Sequence, residues 1–273
     1  MCTLGLYLYI LIPPSEGKNP SSDKNYFSLD SLSYSFLNSK RSQIIYYLSN
    51  NNLSKEQYIK TLGISSQNFE KINIINSKIT TSQVSSSISR YNGVLYDFLD
   101  YNSLNETAKS LFNDSIIIFS GLFGLLRPQD KIPDYKLKMG TKLIDGIKLS
   151  KFWKDEITEV LRKELENQIV FNFLPTEFSN AFDSKVIKYK YELTFSFKQE
   201  NINGELKSIT HWTKALRGSL IRYLLNKVSD FNSIDEILKV SKLFTNNSEY
   251  EYSKKISKFN ERKCEIIFIK KYG

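Results

Sequence analysis

The stretch that most constrains this chain is Ser115–Phe119, SIIIF, together with the loop that runs on from it to Gly140. An apolar run of this length and branching reads as a buried strand. Ser120, Gly121 and Gly124 then supply small residues where the backbone can turn sharply or approach another segment closely. Arg127-Pro128 ends the apolar part, because the residue before a proline is pushed out of helical geometry. Lys131, Lys136, Lys138 and Lys142 come next, with Pro133 and Tyr135 stiffening the loop. A loop anchored by apolar residues, shaped by glycine and proline and loaded with cations is built as an anion-holding surface rather than as a linker.

From the amino terminus onward, Leu6–Ile12 is a buried strand that Pro13-Pro14 stops. Ser15-Glu16-Gly17-Lys18 then forms a short polar loop. Ligands of open α/β sheets collect outside the carboxyl ends of strands, so this loop is a candidate site wall; it lacks the spacing of a P-loop. A helix is expected over Ser39–Leu48. Ser54, with Gln57 three residues on, predicts a capping box for a helix over Lys55–Leu62. Gly63 breaks that helix, and Ser65 or Ser66 caps a second one through Ile72. Helix, Leu62-Gly63-Ile64, helix has the shape of a helix-hairpin-helix whose amides can meet DNA phosphates. An ordinary αα-turn is the simpler reading of the segment alone. Arg90, Tyr91, Gly93, Tyr96 and Asp97 form a polar-aromatic cluster ahead of a helix over Leu104–Phe112.

Further on, Asp145-Gly146 suits a hairpin turn within Thr141–Leu149. Ser150 is expected to cap a helix over Lys151–Leu165, whose face includes Trp153, Ile157, Leu161 and Leu165. Ile169–Leu174 is another buried strand, succeeded by Pro175-Thr176-Glu177-Phe178. Val186–Lys198 alternates as a long strand, Asn203-Gly204 turns it, and Ser208–Trp212 returns antiparallel. Lys214–Lys227 is a helix with Leu216, Leu220, Tyr223 and Leu224 on one face. Cys264–Ile269 is a last strand. With no repeat and no linker, the chain reads as one domain over 1–273, an α+β fold. Its expected core is a central mixed β-sheet flanked by helices, including a helix-hairpin-helix-like element.

The 273 residues carry a net charge of +9, which points to an acidic partner, nucleic acid first. The surplus is clustered. Lys207–Lys227 holds five Lys or Arg and no acid, and Lys131–Lys154 holds seven lysines against Asp134 and Asp145. Cys2 and Cys264 have no metal spacing and suit a reducing, cytoplasmic setting. Leu4–Ile12 is shorter than the roughly 20 residues a bilayer needs and has no basic leader, so neither a membrane span nor a signal peptide is expected. One histidine, His211, gives no triad and no zinc set; no metal and no cofactor are expected.

The chain resembles the YaaA family of bacterial peroxide-stress proteins. The resemblance rests on Ser120-Gly-Leu-Phe-Gly-Leu-Leu-Arg127-Pro128 with Asp130, Pro133, Tyr135, Leu137, Met139 and Gly140. Pro14-Ser15-Glu16-Gly17-Lys18, Tyr91-Asn92-Gly93, Phe152-Trp153, Asn172 with Glu177, and Lys214-Ala-Leu-Arg217-Gly218 support it. It implies a cytoplasmic single-domain protein with a basic cleft, a helix-hairpin-helix element and binding to duplex or distorted DNA. It also implies protection from peroxide by restraint of free iron. Residues 1–6 read as an extension, and residues 227–273 diverge from the pattern.

Three functional expectations emerge. In the first, Lys18, Arg127, Lys136, Lys138, Lys214 and Arg217 line one groove that neutralises phosphates, with amides near Gly63 adding contacts. Binding is then largely independent of sequence. In the second, an enzyme acts on an anionic or nucleotide-like small molecule, with Glu16 or Glu177 as acid or base and Lys18 or Arg127 stabilising negative charge. Convergence of these groups in one enclosed pocket separates the second from the first. A non-catalytic partner-binding protein kept soluble by its lysines is the third alternative.

Overall fold

The computed structural model describes residues 8–50, 53–208, 213–227, 234–244 and 250–271. His211, Trp212 and Cys2, and the return strand beyond Ser208, lie outside the described residues. The described chain is mixed α/β, as the sequence predicts.

Nine strands form the central sheet. They are β1 (Leu8–Ile12), β2 (Ile116–Ser120), β3 (Gly124–Leu126), β4 (Ile169–Asn172), β5 (Tyr191–Glu200), β6 (Leu206–Ser208), β7 (Tyr250–Tyr252), β8 (Lys258–Phe259) and β9 (Lys263–Lys270). The spatial order is β7-β9-β5-β4-β1-β2-β3, with β6 on β5 and β8 on β9. The five inner strands, β9-β5-β4-β1-β2, run parallel, and antiparallel β3 and β7 close the two edges. Ile10–Ile12 and Ile116–Phe119 are fully buried, which is why they read as continuous apolar runs rather than alternating ones.

Seven helices matter for the site. They are α1 (Asn38–Asn50), α2 (Lys55–Leu62), α3 (Phe69–Ser77), α4 (Val94–Leu99), α5 (Glu106–Ser115), α6 (Lys154–Glu164) and α7 (Thr213–Lys227). The Ser54–Gln57 capping box forms, and Gly63 takes the left-handed C-cap position with φ 61°. The second helix of the pair runs past Ile72 to Ser77, after a 3-10 turn at Ser66–Asn68. Asp145 (φ 49°) and Gly146 (φ 70°) turn the hairpin between Lys142–Ile144 and Ile147–Lys148, the left-handed pair that a type I′ turn requires.

Two expectations need correction. The long strand begins at Tyr191, not Val186. Residues 186–190 instead fold over the turn before β4, where Asn167 donates to the Lys188 carbonyl and Lys190 to that of Gln168. Ser150 does not cap a helix; it lies inside the helical turn Leu149–Phe152 that runs into α6.

The core is continuous across both halves of the chain. Trp153 is wholly buried and donates from Nε1 to the Gly121 carbonyl at 3.0 Å. It packs against Gly124, where φ is 72° and an added Cβ would lie 3.1 Å from the indole. The strand β2 and its glycine turn are therefore locked by a helix about thirty residues downstream. Among the described residues, no helix is long and apolar enough to cross a membrane.

Candidate functional site

In the strand order, the chain leaves β1 towards β2 and leaves β4 towards β5, in opposite directions along the sheet. Adjacent parallel strands whose connections diverge leave a crevice at their carboxyl ends. Pro13–Lys18 continues from β1 there, and Pro175–Phe178 continues from β4. Both segments line one cavity of about 450 Å³, together with α4, Tyr135–Lys138 and the α7 side chains Lys214 and Arg217.

Close backbone approaches assemble these walls. A Cβ on Gly218 would sit 2.2 Å from the Leu95 carbonyl oxygen, so only glycine lets α7 lie on α4 and carry Arg217 to the cavity. A Cβ on Gly121 would sit 2.9 Å from the Lys138 carbonyl carbon, which ties the glycine turn to the lysine-bearing loop. The same loop is clamped by buried Asn76. Its Oδ1 accepts from the Lys136 amide at 2.8 Å, and its Nδ2 donates to the Lys136 carbonyl at 3.1 Å and to the Tyr58 hydroxyl at 2.9 Å. Glu177 accepts from the Gly140 amide at 2.5 Å.

A second cavity of about 500 Å³ lies beside the first, lined by Gly63, Ile64, Ser65, Asn68 and Lys71 of the α2–α3 pair. Glu16, Gly17, Lys18, Tyr135, Lys136 and Lys138 line both cavities and form the wall between them.

Charge is distributed unevenly in this space. Glu16 accepts from Lys136 at 2.7 Å and pairs with Lys138 at 3.1 Å. Partial burial works to raise its pKa, but those two lysines outweigh it and hold the carboxyl below its usual range. The Lys18 ammonium lies 4.2 Å from the Tyr135 ring centroid and makes a 3.5 Å contact with the Glu16 carbonyl. Burial pushes its pKa down to about 8, against the attraction of Asp134. Among the described residues, the buried Nε of Arg217 has no hydrogen-bond partner, and burial lowers its pKa. Neither Arg217 nor exposed Lys214 has an ion-pair partner among the described residues.

Of the residues singled out from sequence, Glu16, Lys18, Lys136, Lys138, Glu177, Lys214 and Arg217 meet at one cavity, and Gly63 lines its neighbour. Arg127 does not, and the expectation that it shares the groove is corrected. Strand β3 folds back antiparallel on β2, Leu126 opposite Ile118, and so returns Arg127 to the amino end of the parallel strands. There it donates to the Asp114 and Ile116 carbonyls, pairs with Glu164 and lies over Tyr9 and Tyr34.

Sequence reasoning misses one feature. Beneath Lys18 the Tyr91 and Tyr135 hydroxyls lie 2.7 Å apart, and Tyr135 reaches Ser120 Oγ at 2.8 Å. Burial raises the pKa of both phenols. Tyrosines near a glycine (Tyr91) and a proline (Tyr135) are the one local signal, but their meeting depends on the fold. Among the described residues, no group of three or more His, Cys, Asp or Glu is placed to hold a metal.

Residues 8–256 match the family model described as peroxide stress protein YaaA. A UPF0246 protein of Rickettsia bellii is 32% identical over 232 residues, covering 80% of this chain and 84% of that protein. A UPF0246 protein of Francisella philomiragia is 34% identical over 178 residues, 64% of this chain. That match spans 66% of the Francisella protein, just under two thirds of its length. A UPF0246 protein of Francisella tularensis is 36% identical over 172 residues, 61% of this chain and 67% of that protein.

Proposed function

Because this chain belongs to the YaaA family of peroxide stress proteins, we propose that it serves in peroxide stress by binding DNA through the cleft at the β1–β4 crevice. The observation that carries this reading is Arg217, a half-buried guanidinium lining a cavity beside Lys214 with no acidic partner among the described residues. A buried cation without a counter-charge is expensive unless an anion arrives. Lys18, Lys136, Lys138 and Lys71 extend the positive wall. The α2–Gly63–α3 pair is read as a helix-hairpin-helix presenting amides to phosphate. Such contacts neutralise the backbone and carry no sequence preference. In this reading the protein is cytoplasmic and helps to limit iron-dependent oxidative damage.

The test is fluorescence anisotropy of a labelled duplex between about 50 and 200 mM salt. The expected log–log slope is about −0.9 for each phosphate neutralised, and Lys214→Ala with Arg217→Ala reduces it by about 2. A flat titration, or a double variant that binds as well as the parent, rejects the reading.

One observation favours a second reading, an enzyme acting on an anionic or nucleotide-like small molecule. Glu16, Lys18 and Glu177 share a cavity of about 450 Å³, a size that suits small ligands. Thermal stabilisation by mononucleotides without any duplex binding would favour it.

A further inference from the structure

Lys18 differs from the other cations of the cleft. Lys136 and Lys138 are both engaged by Glu16, and Lys214 is exposed. Lys18 pairs in register with Tyr91 on a two-residue strand, and its ammonium is set on the Tyr135 ring and 5.8 Å from that of Tyr91. It has no carboxylate within ion-pair distance among the described residues, and its one hydrogen bond, to the Glu16 carbonyl, is long. Burial brings its pKa to about 8, so roughly a tenth of the amine is neutral and nucleophilic at pH 7. The nearby ionisable groups are Glu16, Asp134, Lys136, Arg90, Tyr91 and Tyr135. Asp134 and Glu16 draw its pKa up, but burial outweighs them, and among the described residues neither comes within ion-pair distance.

The cavity it faces has Pro13, Pro14, Leu95 and Phe178 in its walls, and Arg217 and Lys214 in the same lining. Such a chamber suits a carbonyl compound that also carries a phosphate. In DNA, that chemistry exists where a base has been lost and the deoxyribose opens to an aldehyde. Such a residue is also the least costly to turn out of the helix, since no base must be unpaired or unstacked.

We propose that Lys18 condenses with the ring-opened aldehyde of an abasic deoxyribose in DNA, while Arg217 and Lys214 hold the adjoining phosphate. The inference rests on the DNA-binding reading for those phosphate contacts. The amine nitrogen bonds to C1′, the carbonyl oxygen leaves as water with the two amine hydrogens, and a C=N bond remains. No electrons are exchanged with an outside reagent.

The test uses the full chain with three probes in sodium borohydride: a duplex with one abasic site, the intact duplex, and free ribose 5-phosphate. Borohydride reduces the imine to a stable secondary amine. The expected result is a covalent adduct with the abasic duplex, absent with the intact one and mapped by peptide mass to Lys18. In Lys18→Arg, which keeps the charge but not the nucleophile, the trapped fraction per bound duplex falls at least tenfold. No adduct, an adduct spread over other lysines, trapping undiminished in Lys18→Arg, or trapping of ribose 5-phosphate alone overturns the proposal. Anisotropy of the intact duplex is measured alongside. Binding without an adduct defeats the inference and leaves the DNA reading standing. A Lys18 adduct without intact-duplex binding sustains the inference and defeats that reading in its general form.

Discussion

Glu16 sets how much positive charge the cleft presents. Its two oxygens pair with Lys136 and Lys138, one negative charge against two positive, so the wall between the cavities is less basic than its lysine content suggests. Its lowered pKa has a defined linkage: the stabilisation is present above the unfolded value near 4.5 and is lost as pH falls through the folded one. Glu16→Gln removes a negative charge and frees both lysines. It is expected to tighten duplex binding several-fold at low salt and to steepen the salt slope by about 1–2, read by anisotropy. Weaker binding would show that Lys136 and Lys138 do not face the phosphates. At this scale the sequence makes Glu16 and Lys18 visible, because polar groups past a buried strand stand out. The partners of Glu16 lie about 120 residues away, and no local pattern joins them. Arg127 misleads for the same reason: a cation before a proline looks exposed, and only the return of β3 along β2 shows where it ends.

Among the elements, α7 lying on α4 positions Lys214 and Arg217 at the cavity, and Gly218 makes that approach possible. Gly218→Ala places a methyl against the Leu95 carbonyl, and the helices must separate. The expected cost is roughly 1–3 kcal/mol of overpacking, a fall in Tm of several °C, and weaker DNA binding as Lys214 and Arg217 move with the helix. A parent-like Tm in a thermal melt would show that the contact yields easily. Elements with local signals are legible from sequence. The Ser54–Gln57 box and the Asp145-Gly146 turn depend only on neighbours in the chain, and they form where expected. The start of β5 is not legible, because Ile187 and Tyr189 are buried in the segment that folds over the turn before β4 and so mimic strand alternation. Gly218 looks like an ordinary helix residue until its neighbour in space is known.

For the whole molecule, the parallel sheet has two ends with different chemistry. The carboxyl end carries the cavities, and the amino end carries Arg127 and Glu164. Arg127→Ala is therefore expected to lower stability by roughly 1–3 kcal/mol, since it strands a largely buried carboxylate, while duplex anisotropy stays as in the parent. Loss of binding in a variant that still melts cooperatively would contradict this division. The buried runs at β1, β2 and β4 tell which segments enter the sheet. Strand order, and hence the crevice between β1 and β4, is set by long-range pairing that no single run encodes. The wall of Glu16–Lys18 and Tyr135–Lys138 has a chamber on each side. Because Glu16, Lys18, Lys136 and Lys138 line both chambers, a substitution at any of them alters the two rooms at once.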